Sequence, residues 1–444
     1  MRAATTRSTL LAGCGLVLAL LPLAACSDAE GDRPGPVPPV ELTLGVFGSA
    51  AEVAPYRAVV ADYNAGASAA RVSLTTWDDA AAMRASLDAG APVPDLFLVP
   101  AQDLGHVVEQ GWNTPLFDLV EDRNVNLGDL FSHEAMLAFS SDDDLQCLPW
   151  DLSPSVVYYN TDLVDFRAMA RRGLPAPDDV AQGWDFDSFR AAARYASRPG
   201  TGAKGVALDP DLASIAPFLY AGGGRLTDDD RAPTTLTLAG GANLDTLTPL
   251  LELLRDEEVT LTTAQLDEAD PVTWFERGDL GMIVGDRTLV PRLRAVPGLS
   301  FDVMPIPRLD TESTVGRLTG LCVAAGPQEQ RAADLLVAML DDAHVEQVAR
   351  AGFVVPAKVT VARSPAFLQP RRQPANAGAF NRSSEDLVVF PSFPDQQALE
   401  DVVDPMLADL ITAPLLSDLA TDLEAIDEAS RRVLEPEPSS GPTP

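Results

Sequence analysis

The sequence predicts an α/β fold in which helices cover the faces of parallel sheet and the chain divides into more than one compact part. Three observations carry this expectation. The early chain alternates β-rich runs with helical spacings in a βαβαβ rhythm, which a parallel sheet with crossover helices accommodates. Its 444 residues exceed what one core holds, so two or three domains, or two lobes sharing connections, are expected. With 46% hydrophobic and 22% charged residues the composition is that of a globular protein rather than a disordered one.

The elements follow in order. Glu41 to Phe47 (ELTLGVF) is β-rich and alternating, so it reads as a strand. Val53, Tyr56, Val59, Val60 and Tyr63 recur at helical spacing, giving a helix over Val53 to Ala65. Arg71 to Thr76 is a second strand, Ala80 to Ala89 an alanine-rich helix, and Pro94-Asp95 opens the apolar strand LFLV. A short helix is expected over Ala101 to Gln110. In the middle of the chain, Asp185 to Ser197 starts on an acid cap and runs amphipathically, while Ile215 to Tyr220 stops at Gly222-Gly223-Gly224. Leu244 to Glu257 reads as helix, Leu280 to Val284, Phe301 to Pro305 and Gly320 to Ala325 as strands, and Gln328 to Asp341 as helix. The region Ala398 to Leu434 is helical, with breaks expected near Pro405 and Pro414.

The N-terminus speaks of location. Arg2 and Arg7 precede an apolar stretch from Leu10 to Leu21, and Leu23-Ala24-Ala25-Cys26 follows. The stretch is shorter than the roughly 20 apolar residues of a spanning helix. Its end resembles a bacterial lipobox, which implies a signal peptide over residues 1–25, a lipid on Cys26 and a protein held at the extracellular face of the cell membrane. Residues 26–39 and 435–444 are rich in Pro, Gly and acids, and read as a tether and a disordered tail. Once the signal peptide is removed and Cys26 is lipidated, Cys147 and Cys322 remain. They make one possible disulfide in an exported compartment, or two separate buried thiols.

Several chemistries are disfavoured. A formal charge of −33 argues against nucleic acid, whose phosphates need clustered Lys and Arg. His106, His133 and His344 share no metal-ligand spacing, and no GxSxG elbow is present. The acid runs at Asp142 to Asp144 and Asp228 to Asp230 read as solvated turns. No cofactor, metal or catalytic residue is expected; a secreted glycosidase, which needs two placed carboxylates, is the least supported reading.

Separated segments then match one family in order and spacing. LTLGVF, ADYNAGASAARVSLTTW, APVPDLFLV, LPWDLSPSVVYYNTDLV, GWDFDSFRAAARY, WFERGDLGMIVGDR, TGLCVAAGPQEQRAADLLVAML and VARAGFVVPA together resemble the extracellular solute-binding proteins of ABC importers, in the sugar-binding group that includes maltose-binding protein. The resemblance implies a two-lobed, Venus-flytrap α/β fold with crossing hinge strands. Residues 40–150 and 320–378 would form the first lobe, and 151–319 and 379–434 the second. It also implies a small-molecule ligand, a sugar by family habit, and permease subunits in the membrane as partners.

In such a fold the ligand meets loops at the carboxyl ends of strands. That rule selects Phe47, Gly48 and Ser49 after the first strand, Gln102 after the third, and Asp286 and Arg287 after LGMIV. The resemblance adds Trp150, Asp151 and Ser153 at the first crossing, Asp211 in the far-lobe loop DPDL, and Phe393 at the third crossing. Aromatic faces cover sugar C–H surfaces while carboxylates and Arg bond the hydroxyls. The alternatives are that Trp150 is core, that Asp151 caps a turn and that Phe393 only packs between lobes. Trp184 reads as core. Where maltose-binding relatives carry aromatic platforms, this chain has Asp211-Leu212 and Asp286-Arg287. This departs from a long malto-oligosaccharide site and leaves a smaller, more polar or anionic ligand open. The return crossing RLTGLCVAA should run antiparallel beside the first. That placement implies a Cys147 to Cys322 disulfide within one lobe.

Overall fold

The computed structural model describes residues 39–66, 69–141, 144–230, 232–412 and 418–435. The expected signal peptide, the lipidated Cys26 with its tether to residue 38, Pro414 and the tail after residue 435 lie outside the described residues.

The strands in chain order are β1 (Val40–Phe47), β2 (Ala70–Trp77), β3 (Leu96–Pro100), β4 (Ser140–Ser141), β5 (Asp144–Leu145), β6 (Leu148–Pro154), β7 (Val156–Asn160), β8 (Lys204–Val206), β9 (Leu280–Gly285), β10 (Phe301–Pro305), β11 (Thr314–Val323) and β12 (Leu387–Val389). The first sheet has the order β12-β11-β3-β1-β2, with β6 also paired to β11. Within it β1 is parallel to β2 and β3, as the βαβαβ rhythm requires, and β11 is antiparallel to β3 and β6. The second sheet runs β10-β7-β9-β8, and β4 pairs with β5. Thr43 fixes the β1 to β3 register, because the Asp95 carboxylate accepts from its backbone N–H (2.7 Å) and from its hydroxyl (2.8 Å).

Two apolar clusters make the core. One lies on the first sheet and continues onto one face of the second, taking Val156, Tyr158, Ile283, Phe301 and Val303. The other covers the opposite face through Val157, Tyr159, Met282 and Met304. The strand VVYYN is thus buried on both sides, which is why its sequence shows an unbroken apolar run instead of alternation. Along β7 consecutive residues alternate between the clusters, Val156 and Tyr158 in the first and Val157 and Tyr159 in the second, as the two faces of one strand do. In β12 Leu387 and Val389 pack on the first cluster and Val388 on the second.

The helices obey their caps. Asp79, Asp165, Asp185, Asp211 and Asp418 each accept a backbone N–H at a helix start. Two expectations need correction. The helix Gln396–Thr412 passes through Pro405 without a break. Proline costs an intrahelical bond, but Leu399, Val403, Leu407, Leu410 and Ile411 are buried against the second core, and that packing holds the helix across the gap. Ala101 to Gln110 divides into a 3₁₀ turn, Ala101–Asp103, and a helix, Leu104–Glu109. Residues 373–376 also touch the second sheet. Gln373 accepts from the Phe301 backbone (2.5 Å), and Asn376 donates to the Val303 carbonyl (3.0 Å).

Candidate functional site

The registers bring several strand ends to one place. Asp151 of β6 lies opposite Thr319 of β11, which lies opposite Pro100 at the carboxyl end of β3. In the second sheet Val156 lies opposite Gly285 at the carboxyl end of β9. Between these ends is a cavity of about 80 Å³ whose wall includes Phe47, Tyr56, Trp150, Asp151, Thr288 and Phe353. Phe47, Trp150 and Asp151 are therefore brought together as expected.

Trp150 is 4% exposed and donates from Nε1 to the Tyr56 hydroxyl (2.8 Å). Its indole forms apolar wall while its polar edge is already satisfied. Asp151 accepts from the Val355 backbone N–H (2.6 Å) through Oδ1 and from the Ser153 hydroxyl (2.9 Å) through Oδ2. Burial is the main influence on its carboxyl; with Asp286 nearby, it outweighs the two hydrogen bonds and Arg317 and pushes the pKa up to about 7. On the far side Asp286 accepts from Arg317 Nη2 (2.8 Å), from the Thr288 backbone (3.0 Å) and from the Thr288 hydroxyl. Arg317 stands on β11, with its side chain 66% exposed, and Asp286 raises its pKa. The ion pair spans from a crossing strand to the loop after β9.

Other expected residues fall elsewhere. Ser49 is the N-cap of the helix Ala50–Gly66: Glu52 Oε2 accepts from its backbone (2.8 Å), and its hydroxyl accepts from the Glu52 backbone (3.4 Å). The turn before it needs Gly48, whose φ is 127°. Gln102 has a buried Oε1 with no hydrogen-bond partner and is outside the cavity wall. Ser153 is 5% exposed and serves Asp151. Asp211 caps the helix Leu212–Ala221 through the Ser214 N–H (2.7 Å). Phe393 is in the second core beside Phe390.

Arg287 departs most from expectation. It is 0% exposed, with its guanidinium 4.6 Å from the Phe367 ring centroid and 5.0 Å from that of Phe380. Burial pushes its pKa down to about 10. Its guanidinium lies in the core beside these rings, and Nη2 donates to the Phe367 carbonyl (3.3 Å).

Sequence reasoning missed Tyr56, Glu52, Thr288, Thr319, Arg317 and Phe353. Arg317 had a local signal, being the lone charge in the otherwise uncharged run TVGRLTGLCV. Tyr56 had none, since its spacing is that of a core helix residue.

Residues 58–374 match the bacterial extracellular solute-binding protein family, and the chain belongs to it. No curated protein sequence matches. Among solved structures, the chain resembles the sugar-binding protein MalE from Xanthomonas citri, with TM-score 0.72, 15% identity, and coverage of 89% of this chain and 97% of that one. It also resembles the substrate-binding protein Lmo0181 from Listeria monocytogenes in complex with cycloalternan, with TM-score 0.71, 18% identity, and coverage of 89% and 99%. A third is the cyclic alpha-maltosyl-1,6-maltose binding protein from Arthrobacter globiformis, with TM-score 0.68, 18% identity, and coverage of 89% and 99%. At these identities the likeness establishes the two-lobed fold.

Proposed function

We propose that the chain is the lipid-anchored substrate-binding component of an ABC importer, holding a carbohydrate between its lobes and delivering it to permease subunits. The observation that carries this reading is the cleft seam, where Phe47 and Trp150 supply aromatic wall and Asp151, Asp286 and Arg317 supply directional acceptors and donors. The sugars named for the similar proteins from Listeria monocytogenes and Arthrobacter globiformis support it. No catalytic role is assigned. Contacts made from both lobes at once would favour the closed state, so binding would shift the hinge equilibrium toward it.

Lipid on Cys26 would keep the protein at the extracellular face, and the Cys147 to Cys322 bond would hold one lobe together in solution. The ligand-binding set under this reading is Phe47, Trp150, Asp151, Asp286 and Arg317. Under this reading residues 40–150 and 320–378 form the first lobe and residues 151–319 and 379–434 the second.

A second reading, a sensory or interaction lipoprotein of the same fold with no transported ligand, is favoured by the small cavity of about 80 Å³, well below ordinary ligand pockets of roughly 300 Å³ or more. Titrating the mature protein with a broad panel of mono- and disaccharides, read by calorimetry and thermal shift, separates the two. Saturable binding that weakens in Asp286→Ala supports carbohydrate capture. Absence of binding across the panel defeats it in favour of the second reading.

A further inference from the structure

A larger cavity, about 460 Å³, lies beside Trp184 and shares no wall residue with the cleft. Its wall joins the start of the helix Phe186–Ala196, the end of β10, the connection to β11 through Arg308 and Glu312, and the helix Gly378–Ser383. Trp184 is fixed by donation from Nε1 to the Pro305 carbonyl (2.8 Å), so it and Ile306 form a rigid apolar side.

The polar groups are sorted by depth. Ser383 is 3% exposed, and its buried Oγ has no hydrogen-bond partner; Nη1 of the neighbouring Arg382 is likewise buried without an acceptor. Arg382 forms no ion pair among the described residues. A guanidinium only donates and a serine hydroxyl can donate, so this end is built to meet an acceptor. Leaving such donors buried and unpaired is costly. The exposed side carries acceptors: Asp178, Asp179 and Asp185 are solvent-facing, and two of them already take one helix-start N–H each, from Ala181 and Ser188. Arg308 and Glu312 at the rim face each other at 3.6 Å.

We propose that this cavity binds a small zwitterion of the amino-acid or short-peptide class. Its carboxylate meets Arg382 Nη1 and Ser383 Oγ, and its ammonium faces the carboxylates at the mouth. A simple anion would engage only the deep donors and leave the mouth carboxylates unused, and a simple cation would leave Arg382 Nη1 and Ser383 Oγ without an acceptor. The volume falls within the usual range for small-molecule sites.

Calorimetry and thermal shift on the full mature chain, with individual L-amino acids and glycylglycine as probes and sodium acetate and methylammonium chloride as controls, test this. Saturable binding of at least one zwitterion, reproduced by neither control, is expected. Arg382→Gln should weaken it about 10-fold or more, as loss of a charged hydrogen bond does, and leave cleft binding of any sugar unchanged. Asp178→Asn, an exposed change that leaves the fold intact, should weaken it several-fold. The proposal is overturned if no zwitterion binds, if acetate binds as well as the amino acids, or if Asp178→Asn and a folded Arg382→Gln both bind like the wild type. The cleft reading stands or falls separately, because its variants and probes are different.

Discussion

Replacing Asp151 by Asn removes a charge with little change of shape. Asn Oδ1 can still accept from the Val355 N–H, and Asn Nδ2 can donate to Ser153, whose hydroxyl turns from donor to acceptor. The wild-type carboxyl is shifted from 3.8 to about 7, chiefly by burial. About three pKa steps at roughly 1.4 kcal/mol each give ~4 kcal/mol of differential cost. Because the folded value is raised, the associated stability is fully present below pH 3.8 and is lost as pH rises through about 7. Asp151→Asn should therefore match the wild type at low pH and exceed it by ~4 kcal/mol, to within about 1.4 kcal/mol, above neutrality. Urea midpoints of both proteins across this pH range measure the difference, and other shifted acids such as Asp209 and Asp404 cancel in it. A difference that stays flat with pH would refute the claim that the carboxylate is held against its preference.

Arg317→Ala removes the cation that lowers the Asp151 pKa, so the pH at which stability falls should move upward in the same urea experiment. In Arg287→Met, relief of a buried charge whose pKa is depressed to about 10 outweighs two lost ring contacts and the Nη2 donation to the Phe367 carbonyl (3.3 Å), for a net gain of about 1 kcal/mol; a loss above about 1 kcal/mol would refute it. Reducing the Cys147 to Cys322 bond, whose residues are 175 apart in sequence, should cost about 2–5 kcal/mol in urea denaturation. Labelling of both thiols in unreduced, denatured protein would sink that assignment.

Much of the fold was legible because it rests on local patterns. ELTLGVF, RVSLTT and LFLV alternate or run apolar as strands do, and their parallel pairing follows from the helices between them. The antiparallel return of β11 beside β6 was expected from the family resemblance, and the two cysteines stand with Cα atoms 4.4 Å apart. The site was legible only in part. Trp150 could be placed at the cleft, but its hydrogen-bond partner Tyr56 comes from a helix with no pattern to distinguish that tyrosine from core. Asp286 and Arg287 are adjacent and share every sequence signal, yet one faces Arg317 and the other lies between Phe367 and Phe380. That choice is made by residues some eighty positions downstream, where local rules have no reach.

A Cys147 to Cys322 disulfide would bear on how the molecule can move, because it would tie the residue just before β6 to β11. The two strands are already laddered to each other over Leu148 to Pro154, so sulfur would add a second restraint to the same pair. Neither can rotate or slide without the other. The segment from Leu387 to Phe393 joins the same ladder, since β12 pairs in parallel with β11 and the Phe390 N–H donates to the Gly316 carbonyl (2.9 Å), so a displacement of β11 is felt by both of its neighbours.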